Sequence, residues 1–497
     1  METISTVIAL SLTPANIAFV SLGLFIGYIV GAIPGMGKAT AAAIAIPLTF
    51  SMAPVSAIAF LIGIAKGSTA GNAVSAILIN TPGEPSSVPT ALDGYPMAQK
   101  GQGRKALTIA LVASTIGDFL STWLLIFLTA PLADIAVRIG KVDLMAILVF
   151  AMTFIAALSG NSLAKGLIAG LIGIMLATVG LEPETAVQRM TFGNYRLFDG
   201  LPLIAMAIGI VAVAEMIVQL EQHLSARAKG EVLGRGQAET AKISAEEWKR
   251  LPKPIAGGTM IGAFVGILPG LGAAIASFAS YGFAQRISKD PESFGKGNIE
   301  GVAAAESADN AVIPSSLIPL LAMGIPGSVI AAILAAGFTM HGIIPGPNVM
   351  RDSGDFMLGL FGSLLIASPL MLIIGLLGMR LFIRVITVPF PYLFTGVLFF
   401  SVTGAYLQAG ETFGVFVMLA FGFVGYLLKK FQFPFVTFII GFIIGPQLEL
   451  AVRQTLVILD GGSLLDHPVA VAFLALTAIV VARIGLSTAQ RLRKTAA

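Results

Sequence analysis

The residues able to do chemistry in this chain are few, and most sit inside or beside apolar runs. Lys38, Lys66, Glu306 and Asp309 are ionisable groups flanked by long apolar stretches, and such groups in a membrane-type sequence are functional candidates by default. Beside them lie small polar side chains: Ser68, Thr69 and Asn72 in one stretch, Ser307 and Asn310 in another. Amide and hydroxyl groups in this number suit the binding of a small charged solute. Their N–H and O–H groups donate to an anion, while their oxygens suit a cation such as Na+. The competing reading for Asn72 and Asn310 is an interhelical hydrogen bond, common in membrane bundles. Asp118 and Glu215, inside apolar runs, read as partners across helices, Glu84 and Asp93 as loop residues, and His341 as structural. No His/Cys/carboxylate spacing suggests a resident metal or another cofactor, and no Ser/His dyad or H-E-x-x-H pattern suggests an enzyme. GAIPGMGKAT resembles a phosphate-binding loop, but Ala32 and Ala39 occupy its first Gly and its Ser/Thr positions. No strand precedes it, so ATP binding is rejected.

These residues need elements to hold them, and the pattern of those elements is duplicated. Residues 23–38 read GLFIGYIVGAIPGMGK and residues 258–273 read GTMIGAFVGILPGLGA, with 8 of 16 positions identical at an offset of 235. Glycine recurs every fourth residue, at Gly23, Gly27, Gly31 and Gly35 and at Gly258, Gly262, Gly266 and Gly270. Residues four apart share a helix face, so each strip admits a second backbone at close range. Pro34-Gly35 with Gly37, and Pro269-Gly270 with Gly272, then end the helix, since proline lacks an N–H and clashes with the preceding turn. Backbone groups freed inside a bilayer need protein or a water-filled cavity, and paired interruptions in two halves point to a transporter binding site. Two structural kinks are the plainer alternative. A second pair follows: Asn72-Ala-Val and Asn310-Ala-Val each precede a Pro-Gly, Pro82-Gly83 and Pro326-Gly327, at spacings of 10 and 16. These stretches are polar and rich in Pro and Gly, so re-entrant hairpins are expected there.

Composition sets the class. Of 497 residues, 56% are hydrophobic and 11% charged, against about 25% charged in soluble domains, and the mean hydropathy is +0.91. The expectation is an all-α integral membrane protein: a polytopic helical bundle with two inverted repeats, broken helices and re-entrant hairpins, in roughly 12 to 15 membrane segments at about 20 residues each. The absence of cysteine excludes disulfides and thiol chemistry. The net charge of +4 is small and its basic residues lie between apolar runs, so nucleic acid is not an expected partner and the lipid bilayer is. Residues 1–220 form a first transmembrane repeat, 221–254 a hydrophilic linker, 255–466 a second repeat, and 467–497 an extra helix with a basic tail. The linker bases Arg227, Lys229, Arg235, Lys242, Lys249, Arg250 and Lys253 place it in the cytoplasm. A base-free N-terminus carrying Glu2 is expected outside, which makes the repeat inverted. The basic C-terminus is expected inside.

At these residues the chain resembles the large membrane subunit of tripartite tricarboxylate transporters, the TctA family. The resemblance rests on GAIPGMGKATAAAIAIPLTF, NTPGEPSSVPTALDGYPMAQKGQGRKAL, GILPGLGAAIASFASYG and SADNAVIPSSLIPLLAMGIPGS. It implies ion-coupled import of di- or tricarboxylates across the bacterial inner membrane, with a small membrane subunit (TctB-like) and a periplasmic solute-binding protein (TctC-like) as partners. The alternatives are a stand-alone organic-anion permease and a channel. Substrate contacts are expected from Pro34, Gly35, Gly37, Lys38, Asn72, Pro82, Gly83, Pro269, Gly270, Gly272, Asn310, Pro326 and Gly327. A co-transported Na+ or H+ is expected among Ser68, Thr69, Asn72, Ser307, Asp309 and Asn310. The chain names neither the acid nor the ion.

Overall fold

The structure is a computed structural model that describes residues 9–158, 162–182, 186–229, 243–385, 388–460 and 462–496. Glu2, Arg235 and Lys242, used above to orient the chain, lie outside them. Among the described residues, seven helices are long and apolar enough to cross a membrane. The one sheet among the described residues is an antiparallel pair of two-residue strands, β1 (Gly180–Leu181) and β2 (Gln188–Arg189).

By packing, the chain divides into two units, and the division does not follow sequence order: Met1–Pro131 with Ile204–Tyr426, and Leu132–Leu203 with Leu427–Ala497. The first unit contains α1 (Pro14–Ala32), α2 (Lys38–Ala45), α3 (Pro54–Ile79), α4 (Val88–Gln99) and most of α5 (Gly103–Val137). Thr13 caps α1 by accepting from the Asn16 N–H, and Pro14 occupies a first-turn position where its missing N–H costs nothing. The glycine strip of α1 meets a strip on α3 that the sequence reading missed, Gly63, Gly67 and Gly71. A Cβ added at Gly27 would lie 2.5 Å from the Ile64 carbonyl oxygen, and one at Gly63 would lie 2.5 Å from that of Val20. The two backbones therefore touch through reciprocal strips. Between apolar helices in lipid, where no hydrophobic force acts, such close packing is the main attraction.

The break after α1 falls where Pro34 and Gly35 predict it. Ile33 turns extended and Gly35 takes φ +75°, a region glycine enters without steric cost. The apolar run that follows is not one segment: α2 and a 3-10 turn end at Thr49, and Pro54 opens α3 with Ala53 extended before it. In the second half α11 (Pro252–Ile267, after the six-residue α10, Ala245–Arg250) breaks at Leu268–Leu271 and resumes as α12 (Gly272–Ile287). Its strip faces α13 (Ile299–Met323): Gly262 abuts Ala308, and a Cβ on Gly266 would reach 3.1 Å from the Val312 Cα.

At both places where hairpins are expected, the asparagine lies inside a long continuous helix. Asn72 lies inside α3, a continuous helix of 26 residues, and Asn310 inside α13, one of 25. Both are long enough to cross a bilayer. The candidate span within α3 is wholly buried, and α13 is buried from Ile299 to Ala322. A helix enclosed by protein on every side need not be apolar to lipid, which is why Ser, Thr, Asn and Lys sit there. Each ends in a left-handed residue, Asn80 (φ 53°) and Gly324 (φ 76°), the usual helix stop. Beyond Gly324 the chain passes Pro326-Gly327 into α14 (Val329–Met340), then α15 (Gly354–Val385), α16 (Phe390–Ala409) and α17 (Thr412–Lys430).

The second unit holds α6 (Lys141–Leu158), α7 (Leu163–Ala177), the β pair, α18 (Phe435–Leu459) and α19 (Pro468–Ala496). Gly170 and Gly173 on α7 face Gly441 and Phe438 on α18 at backbone distance. Asp143 accepts the Ala470 N–H at 2.8 Å at the start of α19. Returning to the first unit, a π-helical turn, Gly209–Val213, joins α8 (Leu203–Ile208) to α9 (Ala214–Lys229).

Candidate substrate and ion site

The first break and the Pro82-Gly83 loop come together in the first unit. Lys38 opens α2, and its backbone N–H donates to Glu84 Oε1 at 2.6 Å. Its ammonium lies 3.2 Å from Glu84 Oε2 and 2.7 Å from Asp309 Oδ1. A helix N-terminus and a lysine thus converge on one carboxylate, and both effects favour negative charge there. Gly37 and Gly83 are glycines for a local reason: a Cβ on Gly37 would overlap the Glu84 side chain, and one on Gly83 the Asn72 amide. Glu84 does lie between elements, yet it is a first partner of Lys38 and not a bystander.

Asn72 ties this turn together. Oriented so that its amide nitrogen meets acceptors, it donates to the Gly31 carbonyl at 2.9 Å and the Met36 carbonyl at 3.2 Å. It therefore satisfies the carbonyls that the break sets free. Asn310 donates to Ser114 Oγ at 2.8 Å and to the Glu306 carbonyl at 3.1 Å, linking α13 to α5. In the second half the Gly270 N–H donates to the Gly327 carbonyl at 3.1 Å, so Pro269-Gly270 and Pro326-Gly327 also meet. Gly272 begins α12 with no carboxylate equivalent to Glu84, and Ala273 stands where the first copy has Lys38.

The expected cation ligands do not form one shell. Thr69 Oγ1 donates to the Ala65 carbonyl and Ser307 Oγ to the Ala304 carbonyl, each on its own helix. Ser68 Oγ, Asp309 Oδ2 and Asn310 Oδ1 are buried without hydrogen-bond partners.

Two further charged clusters tie helices together. Lys66 Nζ, fully buried, contacts Asp118 Oδ2 at 2.7 Å, the Leu364 carbonyl at 2.7 Å and Ser368 Oγ at 3.3 Å. This neutral pair joins α3, α5 and α15, the interhelical pairing expected of Asp118. Asp93 corrects the sequence reading. It is a buried helical residue of α4, not a loop residue, and accepts from the Gly297 and Asn298 N–H groups at 2.8 and 2.7 Å and from the Tyr281 hydroxyl at 2.9 Å. It was missed because Asp93-Gly94 between two prolines reads as a turn. His341 touches Thr49 through Nε2 at 3.2 Å, as a structural histidine does. A cavity of about 460 Å3 lies elsewhere, in the second unit. Its arginines are already matched: Arg189 and Arg453 both contact Glu449, at 2.5 and 2.8 Å, and Arg453 also meets Glu182 at 3.0 Å.

Broken helices, buried helices lined with polar groups, and a lysine held at a break define a polytopic helical membrane protein with a charged interior site. The chain belongs to the tripartite tricarboxylate transporter TctA family, which it matches over residues 17–440, a family of transporters and not of enzymes. It is 35% identical over 476 residues to an uncharacterized 52.8 kDa protein in the TAR-I ttuC' 3' region of Agrobacterium vitis, covering 95% of this chain and 94% of that one. It is also 35% identical over 222 residues to an uncharacterized protein in the TAR-II ttuC' 3' region of the same organism, covering 44% of this chain and 92% of that one. No solved structure matches it.

Proposed function

We propose that this chain is the large permease subunit of a tripartite secondary transporter that imports di- or tricarboxylates across the bacterial inner membrane. A Na+ or H+ gradient drives it, a periplasmic solute-binding protein feeds it, and a small membrane subunit accompanies it. The two halves act as an inverted repeat, with the linker and C-terminus in the cytoplasm. The carrying observation is the carboxylate of Glu84, bound by both the backbone N–H and the ammonium of Lys38. A substrate carboxylate is the same chemical group and takes that place when Glu84 swings out. The glycines at Gly35, Gly37 and Gly83 leave room for the exchange, because any side chain there meets neighbouring atoms.

Uptake of labelled carboxylates into proteoliposomes, with and without the binding protein, tests this. Lys38→Gln removes a charge-assisted contact worth about 1.5–3 kcal/mol, so half-saturation rises roughly tenfold to hundredfold. Glu84→Gln weakens the internal competitor and lowers it. Wild-type half-saturation in both variants removes this turn from the substrate site. Transport by this chain alone at the full rate favours the stand-alone permease.

A further inference from the structure

We propose that Glu306 is the residue that takes up the coupling cation, a monovalent ion that is either Na+ or a proton. The proposal rests on the permease reading and names the residue that couples it to a gradient.

Glu306 lies on α13 at 1% exposure. Its two carboxyl oxygens are held from two different helices of the first half: Thr90 Oγ1 on α4 donates to Oε1 at 2.7 Å, and Ser114 Oγ on α5 donates to Oε2 at 2.9 Å. Asn310, one turn further along α13, donates to Ser114 Oγ and so fixes that hydroxyl toward the carboxyl. Among the described residues Glu306 makes no ion pair. Lys38, the base whose charge reaches it, is engaged by Glu84 and Asp309. The other charged or titratable groups nearby are Asp309, the Tyr28 hydroxyl on the Met371 carbonyl, and the Lys66–Asp118 pair, which is neutral in itself.

One lysine therefore faces three carboxylates, Glu84, Asp309 and Glu306. A buried carboxylate without a counter-charge is strongly disfavoured, and such groups pair, ligate an ion or take a proton. A second observation points to the same need. Asp309 Oδ2 and Asn310 Oδ1, on the next turn of α13 and 1% and 0% exposed, have no hydrogen-bond donor. The centre is thus rich in unmatched acceptor oxygens and short of positive charge. Adding an anionic substrate beside Lys38 deepens that deficit. A cation at Glu306 cancels it, so substrate and cation bind together, which is the thermodynamic content of symport. Glu306 bridges α13 to α4 and α5, so its occupancy is also felt by both halves of the chain.

The experiment uses the whole chain in proteoliposomes with the wild type's best carboxylate. Uptake is driven by an inward Na+ gradient at equal pH, and separately by a pH gradient without Na+; the arm that drives wild-type accumulation names the cation. Glu306→Gln, which mimics a carboxyl with its charge cancelled, is expected to abolish accumulation in that arm while measurable substrate counterflow persists. Thr90→Val and Ser114→Ala keep the carboxyl but remove one hydroxyl each. Each is expected to shift half-saturation for the driving cation about tenfold, upward for Na+, which loses a hydroxyl oxygen beside the carboxylate, and downward for a proton, which no longer competes with a hydroxyl donating to the charged carboxylate, with substrate half-saturation at saturating cation unmoved. These two variants decide the matter if Glu306→Gln does not reach the membrane. Wild-type accumulation by Glu306→Gln, or unchanged cation half-saturation in both hydroxyl variants, overturns the assignment. So does loss of counterflow in Glu306→Gln, which makes the residue a substrate contact. If the wild type shows no carboxylate counterflow at all, the permease reading itself has failed, independently of Glu306.

Discussion

Gly27→Ala adds one carbon atom at the contact between α1 and α3. That carbon lies 2.5 Å from the Ile64 carbonyl oxygen, 2.8 Å from the Ser68 nitrogen and 3.0 Å from the Gly67 Cα. All three are backbone atoms, so no side chain can rotate away. Ordinary contact needs about 3.5 Å, so the helices must part by roughly 1 Å along a seam of six glycines. Overpacking of this kind typically costs about 1–3 kcal/mol, and here the loss of the neighbouring close contacts adds to it. The helical preference of alanine over glycine returns only about 1 kcal/mol. The backbone distances say that alanine already harms. The control is Gly282→Ala on α12, where an added Cβ meets nothing within 4 Å and the same helical preference stabilises. The assay is recovery of monodisperse protein from detergent after graded heating. Gly27→Ala is expected to lose it at clearly lower temperature than wild type, and Gly282→Ala at equal or higher temperature. Equal behaviour of the two variants refutes the reciprocal glycine contact.

Lys66→Met leaves Asp118 buried without its base and is expected to destabilise by about 3–5 kcal/mol, whereas adding Asp118→Leu restores much of the loss; heating in detergent reads both. Asp93→Ala leaves the Gly297 and Asn298 N–H groups and the Tyr281 hydroxyl without their acceptor, at about 1–3 kcal/mol for each group left buried, and the same heating assay should show it as one of the least stable variants. On α10, burial acts to raise Glu247, but Lys105 and the Ser244 N–H outweigh it and hold the carboxyl below its ordinary value of 4.5. Its contribution is therefore complete above that value and lost as pH falls through the lowered one. Protease cleavage near α10 should stay slow from pH 7 to 5 and quicken only below about 4.5; quickening already near pH 6 contradicts the pairing with Lys105.

What could be read from the chain alone followed from local rules. The breaks at Pro34-Gly35 and Pro269-Gly270 were legible because proline and glycine act on their own backbone. The close packing of α1 was legible because spacing by four is a property of one helix. The partner strip Gly63, Gly67 and Gly71 obeys the same rule and was readable, but it lies across polar residues that read as a hairpin. There, low hydropathy accompanies complete burial inside protein. The role of Glu84 was not legible, since it meets Lys38 across 46 residues, and neither was the network of Glu306, whose partners Thr90 and Ser114 are 216 and 192 residues away. Nothing in a single sequence fixes such pairings. Gly170, Gly173, Gly441 and Gly445 carried a signal for the second unit, though only the fold reveals that the two stretches meet.

That second unit has a consequence for how the protein is made. Its helices come from Leu132–Leu203 and from Leu427–Ala497, separated by the whole of residues 204–426. At a synthesis rate of about 5–20 residues per second, α6 and α7 wait for at least roughly 13–50 s before α18 emerges. Throughout that interval Gly173 and the α18-facing side of Gly170 lack their native neighbours. A ribosome-bound chain is thus exposed to mispairing and to quality-control proteases until nearly its last hundred residues are inserted. Early termination anywhere before α18 strands the unit without a scaffold, however complete the site-bearing helices already are.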